Sequence, residues 1–387
     1  CSMPRDHRPM PHAEANKVVA SFWSCVYLLN MYDVIIVGAG PAGSTCGHAC
    51  AKRGLKTLML DRDIFPRQKP CGGAVSEHAL SFLDFPLPPE IIERECFGVQ
   101  IHLGSHHTAV RKSHRIAVLV SRDRFDHYLA NKAVEQGAEF RQCERVIDVV
   151  TGPHAVEVRT DSRRYLARHL VGADGVNSIV ARHVRPLFRR HETAVALVTA
   201  VSAKDEDIDR RLDGSLDFTF GVAPLGYGWV FPHRGYYSVG VMGLASAFSH
   251  AQDCLSDFLE SRGLMAGSAR GHTIPLGGMK LPLTAPRVLL TGDAAGFADP
   301  FQGEGIAYAL HSGKLAARAV TESMRGRTDA MARYAQECER QIRKHLKVAL
   351  RMARLLDRHP DVFVSVFFMH QEALERYLDI AAGFTDY

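Results

Sequence analysis

The stretch YDVIIVGAGPAG, which runs from Tyr32 to Gly43, decides the fold of this chain. Its first half is a run of β-branched and apolar residues, which predicts a buried parallel strand. The second half reads G-x-G-x-x-G and leads into a predicted helix of small residues. Glycines at Gly38, Gly40 and Gly43 permit a tight turn and the close approach of backbone N–H groups to a pyrophosphate. In this strand-turn-helix context the motif indicates a dinucleotide-binding fold.

A second predicted strand, KTLMLD, ends in Asp61. This acid follows the glycines by about twenty residues, the distance at which a carboxylate accepts hydrogen bonds from ribose hydroxyls. The glycines and the acid together do not separate NAD from FAD.

Two later motifs favour FAD. LVGADGVNSIVAR places Asp174 after an apolar strand, and VLLTGDAAGFADPFQGEGIAYAL places Asp293 after another. The Asp293 carboxylate suits a ribityl hydroxyl, and the helix start from Gly303 to Ile306 offers N–H groups to the pyrimidine edge of an isoalloxazine. Each motif alone also fits an ordinary Asp-Gly turn or a capped helix. Three such motifs in order make FAD the predicted cofactor.

The composition excludes several classes of function. With 387 residues, 46% hydrophobic and 23% charged, the chain is typical of a two-lobed globular protein, and its net charge of +5 gives little support to nucleic-acid binding. The nine cysteines are scattered and form no C-x-x-C, so neither a disulfide framework nor a zinc ribbon is indicated. We expect no metal site and a reducing cytoplasm as the location.

The order of the motifs predicts the domain organisation. The flavin motifs occupy 31–187 and 286–330, which predicts a discontinuous Rossmann-type FAD-binding domain. Residues 188–285 alternate apolar and polar side chains, as a half-buried antiparallel substrate domain would. Residues 331–387 form a predicted C-terminal helical region, and residues 1–30 an N-terminal extension outside the fold. The predicted fold class is therefore α/β plus α+β.

Six stretches carry a resemblance to a known family: VGAGPAGS, KPCGGAVS, SRDRFDHYLANKAVEQGAEF, GADGVNS, YGWVFPHRGYYSVG and GDAAGFADPFQGEGI. Over about residues 31–370, the sequence resembles the geranylgeranyl reductase family, FAD-dependent oxidoreductases of the aromatic-hydroxylase fold. The stretch from Tyr227 to Pro232, followed by Val239-Gly240, is similar to the family's substrate-domain signature. The loop around Cys71 departs from the archaeal pattern and is closer to the plant and bacterial form.

The resemblance implies saturation of isolated double bonds in prenyl chains of a lipid, quinone or chlorophyll-type substrate. Hydride would come from reduced flavin N5, and NAD(P)H or a ferredoxin-type protein would act as a transient electron donor. By position, the resemblance implies FAD contacts at Gly43, Asp61, Cys71, Arg122, Val146, Asp293, Gly305 and Ile306. The motifs themselves add Gly38, Gly40, Ala42, Arg62, Gly72, Asp174 and Gly303 as predicted cofactor-binding residues.

Three residues are the predicted catalytic groups. The paired glycines after Cys71 let its loop approach the flavin, so we expect the thiol to assist proton delivery or to position the alkene. A small apolar residue packed beside FAD is the alternative. Tyr227 and Trp229 alternate with Phe231 on a predicted strand and therefore share one face, where they would wall a prenyl channel or form ordinary sheet core.

Other interpretations stay open at this point. A flavin monooxygenase of aromatic or quinone-like substrates would share the fold and the cofactor. A non-catalytic flavoprotein or lipid-binding chaperone that has lost turnover is a third class. A predicted helix over 331–358 carries a basic side, which includes Arg343, Arg351 and Arg358. That side would attract anionic headgroups or a substrate diphosphate, which leaves peripheral contact with a membrane open.

Overall fold

The computed structural model describes residues 31–265, 267–364, 368 and 370–382, so the predicted extension 1–30 lies outside the described residues. The strands are β1 (Tyr32–Val37), β2 (Thr57–Leu60), β3 (Ala74–Ser76), β4 (Ile92–Cys96), β5 (Gly98–Leu103), β6 (His106–Arg111), β7 (Ala117–Val120), β8 (Glu139–Arg141), β9 (Val146–Thr151), β10 (Val156–Thr160), β11 (Arg164–Gly172), β12 (Thr193–Ser202), β13 (Ser215–Phe220), β14 (Tyr227–Pro232), β15 (Tyr236–Leu244), β16 (Arg270–Pro275), β17 (Thr284–Ala285) and β18 (Val288–Leu290). The helices are α1 (Pro41–Ala51), α2 (Glu77–Ser81), α3 (Arg122–Glu135), α4 (Asp205–Leu212), α5 (Ala251–Ser261), α6 (Ile306–Met324), α7 (Ala330–Cys338), α8 (Lys344–Arg358), α9 (Pro360–Phe363) and α10 (Gln371–Ala382).

The first sheet has the parallel core that the opening stretch predicts. Strands β8, β2, β1, β11 and β18 lie side by side and parallel, with β1 near the centre. The side chains from Val34 to Ile36 are fully buried, as expected of a strand covered on both faces. Helices α1 and α6 pack against each other beside this sheet. Strand β18 joins it from beyond residue 285, so the sheet is assembled from distant parts of the chain.

The second sheet has seven strands in the order β16, β12, β15, β14, β13, β5, β6. Along β14, Tyr227, Trp229 and Phe231 belong to one buried cluster, whereas Val230 belongs to the cluster on the other face, beneath α4 and α5. The prediction that these three aromatic residues share one face is confirmed. The predicted combination of a Rossmann-type sheet with a largely antiparallel sheet is confirmed as well.

The second sheet extends beyond residues 188–285. Strand β5 pairs in parallel with β13, with Gly98 opposite Ser215, and β6 completes that edge. A parallel pairing between segments more than a hundred residues apart leaves no local pattern, so alternation alone does not reveal it. The segment 188–285 thus does not account for the whole sheet, and the domain boundaries stay predictions.

The C-terminal helical region contains a wide turn that sequence periodicity does not predict. Helices α7 and α8 are joined by a π-helical turn, Glu339–Arg343, rather than forming one regular helix. Arg343, which we placed on the exposed basic side, is instead 6% exposed, so that assignment is wrong. The wide turn rotates this side chain inward, where it donates to Glu339 at 3.0 Å and to the Leu281 carbonyl at 2.8 Å. In the described part of the chain, no helix is both long and apolar enough to cross a bilayer.

Candidate functional site

In the turn after β1, two of the three motif glycines are closely packed and the third faces open space. Gly38 has φ +96°, and a Cβ there would lie 2.7 Å from the carbonyl carbon of Ala173. A Cβ on Gly43 would lie 2.9 Å from the carbonyl carbon of Gly38. At Gly40 the single described atom within 4 Å of such a Cβ is Nη2 of Arg67, at 3.5 Å. This open side is the cradle that a dinucleotide would fill.

Asp61 binds the backbone of this turn through its carboxylate. One carboxylate oxygen accepts from the backbone N–H of Ala39 at 2.8 Å, and the other accepts from that of Asp63 at 3.0 Å. Burial raises the pKa of Asp61 above its ordinary value, although both hydrogen bonds oppose the shift. The predicted acid therefore organises the glycine turn itself, and its contact with a ribose stays a prediction.

Arg67 is a functional candidate that sequence reasoning missed. Its Nη2 lies 3.0 Å from the buried Asp126 carboxylate, while its Nη1 is buried and has no hydrogen-bond partner among the described residues. The Arg67 guanidinium thus lies beside Gly40 with Nη2 paired and Nη1 unpaired, and a nitrogen left unpaired in this way is suited to a phosphate oxygen. These residues fit a bound FAD pyrophosphate. Arg67 lies in an irregular loop outside any motif, so no sequence signal marks it.

Arg122 connects this cradle to Cys71. It donates to both oxygens of Asp126, at 2.8 and 2.9 Å, and the Cys71 sulfur lies within its hydrogen-bonding reach. Burial opposes the charge of Arg122, but Asp126 and the sulfur outweigh burial and raise the pKa of the guanidinium. Burial likewise opposes the charge of Asp126, and Arg122 outweighs it and lowers the pKa of that carboxyl. The ion pair holds a cation against the thiol.

The Cys71 loop packs directly on the aromatic face of β14. A Cβ on Gly72 would lie 2.8 Å from the ring of Phe231 and 3.3 Å from Nε1 of Trp229. The structure thus brings the loop that carries Cys71 against Trp229, although the two segments are far apart in the sequence. The indole N–H is buried and has no hydrogen-bond partner in the described part of the chain.

Tyr227 lies at one end of the aromatic row that it forms with Trp229 and Phe231 on β14. Its ring centroid lies 6.2 Å from that of Trp229, and its hydroxyl donates to the carbonyl of Gln302 at 2.8 Å. Burial raises the pKa of Tyr227 far above its ordinary value, so the phenol keeps its proton. That proton is directed at a backbone carbonyl, so the geometry does not suit Tyr227 to act as an acid, and its place in the wall of a prenyl channel stays a prediction.

His233 fixes the Cys71 loop from behind and was also missed. Its Nε2 lies 2.9 Å from the Gly72 carbonyl, and its Nδ1 lies 2.5 Å from Glu93. The Tyr236 hydroxyl also lies 3.0 Å from Nδ1, so both ring nitrogens have polar partners. The Tyr236 ring stacks on it, with centroids 4.6 Å apart. A single histidine after a strand carries no signal of such a role.

A second part of the candidate FAD site lies at Asp293. Lys69 approaches its carboxylate to 3.4 Å, and a Cβ on Gly305 would lie 3.8 Å from it. His272 faces the same charged group, and its Nε2 is buried without a described partner. Burial and Lys69 lower the pKa of His272 from 6.5 to about 4, so the ring is neutral. Lys69 and His272 were not predicted from the sequence.

The other predicted cofactor residues are placed as follows. Asp174 accepts from Ser178 at 2.5 Å and from the N–H of Ile179 at 2.7 Å, so its carboxylate orders its own turn. The side chain of Arg62 is 62% exposed and approaches Asp63 to 3.8 Å. Ala42, Val146 and Ile306 are buried, and Gly303 has φ +70° beside the Tyr227 hydroxyl. Cofactor contact at these positions stays a prediction.

An apolar cavity opens beside Tyr227. Its volume is about 410 Å³, and it lies between the loop after β13, the Pro300-Phe301 turn and the end of α8. Phe220 and Phe301 stack at 5.7 Å along one wall, and Leu356 contributes the other. Tyr227 lines this cavity and also contacts Trp229, so the cavity and the aromatic face of β14 adjoin at this residue.

Comparison with known proteins agrees with this geometry. The family model of the FAD binding domain matches residues 31–254. The chain is 30% identical to a digeranylgeranylglycerophospholipid reductase of Thermoplasma acidophilum, over 82% of this chain and 86% of the relative. It is 32% identical to a geranylgeranyl diphosphate reductase of Rhodobacter capsulatus, over 74% of each chain. The chain belongs to the geranylgeranyl reductase family. As a member of the geranylgeranyl reductase family, it is an FAD-dependent oxidoreductase, and the resemblance found in the sequence is confirmed.

Solved structures agree at the level of the fold. A geranylgeranyl bacteriochlorophyll reductase-like protein of Thermoplasma acidophilum superposes with a TM-score of 0.78 at 24% identity, over 91% of this chain and 92% of the other. A flavin-dependent brominase superposes with a TM-score of 0.72 at 20% identity, over 91% and 94%. The geranylgeranyl reductase family thus shares its architecture with flavoproteins of other chemistry, and the fold alone does not define the reaction.

Proposed function

We propose that this protein saturates isolated double bonds of geranylgeranyl-type prenyl chains carried by a lipid, a quinone or a chlorophyll-type molecule. The observation that carries the proposal is the packing of the Cys71 loop against Trp229 and Phe231. A half-buried thiol lies there between the candidate cofactor cradle and an aromatic wall. The relatives that are named as reductases of geranylgeranyl-bearing molecules support the same substrate class.

The chemistry of an isolated alkene explains what such a site must contain. The alkene has no carbonyl to take up negative charge, so reduction needs a proton on one carbon as well as a hydride on the other. When bound, reduced FAD supplies the hydride from N5. The protein must exclude water, place the alkene and deliver the proton. An aromatic face stabilises developing cationic character by about 0.5–2 kcal/mol, which gives Tyr227 and Trp229 an assisting role.

We assign proton delivery or alkene positioning to Cys71. Its sulfur accepts from the backbone N–H of Gly73 at 3.4 Å and interacts electrostatically with Arg122, which the buried Asp126 holds in place. A thiol is a weak acid at neutral pH, so a proton relay through a neighbouring group is part of the proposal.

The prenyl chain would continue from the aromatic row into the cavity beside Tyr227. The lining of that cavity is mainly apolar, with Phe220, Phe301 and Leu356 on its walls. Burying hydrocarbon there is favourable at about 25 cal/mol per Å² of apolar surface. The cavity therefore suits a long apolar substituent better than a compact aromatic substrate.

FAD contacts at the predicted residues form part of the proposal, together with Arg67 and Lys69. The sequence carries one dinucleotide-binding motif, which FAD would occupy. The electrons would then come from NAD(P)H that docks transiently or from a ferredoxin-type protein.

An anaerobic single-turnover experiment tests the reaction. The holoprotein is reduced with dithionite and mixed with geranylgeranyl-bearing lipids or quinones, while flavin reoxidation is followed by absorbance and the product by mass spectrometry. We expect two hydrogens to be gained per double bond, in step with flavin reoxidation. Reoxidation that requires oxygen, with one oxygen atom gained by the product, would show instead the monooxygenase activity that this fold also permits.

A further inference from the structure

We propose that the outer face of the C-terminal end of α8 docks on an anionic membrane surface and brings the apolar cavity to the lipid. Ala353 and Leu356 of α8 line that cavity, together with Pro360 at the start of α9. The inner face of α8 thus closes the cavity that would take the prenyl chain, and its outer face is presented to solvent. The docking step goes beyond the proposed reaction, since it concerns access to the substrate and not chemistry.

The outer face combines cationic and apolar side chains. Arg351, Arg354 and Arg358 are exposed, and Leu355 is 43% exposed between them. Val362, just past the helix end, is 46% exposed. Positions 351, 355 and 358 recur at helical spacing within α8, so they form one stripe, and Val362 follows in α9 after the helix break at His359. Exposed leucine and valine among arginines are typical of a helix that lies in a membrane interface.

The charges of this stripe differ from those nearer the start of the C-terminal region. Arg340 pairs with Glu337 at 2.8 Å, Lys347 contacts Glu339, and Arg333 approaches Glu322 to 3.7 Å. In contrast, Arg351, Arg354 and Arg358 have no carboxylate within 4.0 Å among the residues that the structure describes. Unpaired guanidiniums remain available for lipid phosphates.

Two acids share the end of this helix. Asp357 accepts from the backbone N–H of Leu225 at 2.7 Å, which directs its carboxylate toward the loop at the cavity mouth. Asp361 is exposed. The three arginines outnumber the two acids, so this surface carries a net positive charge. That charge complements an anionic bilayer. A purely electrostatic partner, such as an acidic donor protein, would not account for the exposed Leu355 and Val362.

Vesicle co-sedimentation of the FAD-loaded protein tests the docking surface. Vesicles of phosphatidylcholine are compared with vesicles that also contain phosphatidylglycerol. We expect binding to the anionic vesicles, weakened by salt, and a loss of about tenfold or more in the Arg351→Glu/Arg354→Glu variant. Leu355→Ser should weaken binding with less effect on the salt dependence. The matched control is Arg163→Glu/Arg164→Glu, at the exposed turn between β10 and β11, which should bind as the unchanged protein does.

Three results would overturn the proposal: equal binding to both kinds of vesicle, no binding to either, or unchanged binding of the Arg351→Glu/Arg354→Glu variant. Binding of a ferredoxin that this variant loses, with vesicle binding intact, would assign the stripe to a donor protein instead. Alkene reduction in detergent micelles separates docking from chemistry. The variant should keep full activity there, whereas absence of reduction by the unchanged protein would contradict the proposed function and leave the vesicle result to stand by itself.

Discussion

Nε2 of His233 lies 2.9 Å from the carbonyl oxygen of Gly72, the residue that follows Cys71. The histidine is 2% exposed, and Glu93 holds its other nitrogen. A buried histidine and carboxylate thus clamp the loop that carries the candidate thiol. The loop also packs closely on the histidine at Gly73, since a Cβ there would lie 2.7 Å from the His233 ring.

We expect His233→Gln to slow alkene reduction while FAD stays bound. The change removes one of two partners of a buried clamp, and an unsatisfied buried polar group costs about 1–3 kcal/mol. Thermal unfolding, FAD content and single-turnover rate are measured together. His250→Gln is the control, because it makes the same change at an exposed histidine whose ion-pair contact is with Asp253, away from this loop. Equal rates in His233→Gln and the unchanged protein would show that the clamp does not position the loop for reaction.

Cys71→Ala should leave FAD in place and slow the reduction of the alkene. If the thiol takes part in proton delivery, the loss is about a hundredfold or more. The measurement is the rate of flavin reoxidation by substrate without oxygen. Cys254→Ala is a suitable control, since Cys254 is also half-buried but donates to the Val222 carbonyl, away from the cradle. Full activity in Cys71→Ala would reject the catalytic role of the thiol.

Arg67→Met should weaken FAD binding. The change removes a guanidinium that lies beside Gly40 and has Nη1 unpaired, and charge-assisted bonds to phosphate contribute about 1.5–3 kcal/mol each. Fluorescence titration of the apoprotein with FAD gives the dissociation constant. Arg124→Met makes the same charge change at an exposed position of α3 and should bind FAD normally. Since Asp126 keeps Arg122 as a partner, the Arg67 variant should still fold, as circular dichroism would show.

The stability of the fold should decrease in mild acid. His169 is 4% exposed, and burial together with Arg287 lowers its pKa from 6.5 to about 4. Between these two pH values the unfolded chain binds a proton that the native state excludes, so the free energy of unfolding falls as the pH falls, by about 1.4 kcal/mol per pH unit at most. Denaturant unfolding across this range measures the slope. His169→Gln should flatten it, and an unchanged slope would place the effect at other groups.

Local patterns predicted much of the fold. The apolar run and glycines from Tyr32 to Gly43 determined the strand, the turn and the helix, because strand and helix periods and glycine conformations are properties of a few adjacent residues. The same argument placed Tyr227, Trp229 and Phe231 on one face, since alternate residues of a strand point the same way.

The tertiary structure decided which distant segments contact one another. Three contacts each join parts of the chain that share no local pattern: the pairing of β5 with β13, the approach of the Arg67 guanidinium to Gly40 and the clamp of His233 on Gly72. The inward turn of Arg343 follows from a π-helical turn that helical periodicity does not reveal. The sequence by itself determined the elements and the class of cofactor. Packing determined which charges and which thiol face the cradle, because contact energies between distant residues exist only once the chain has folded.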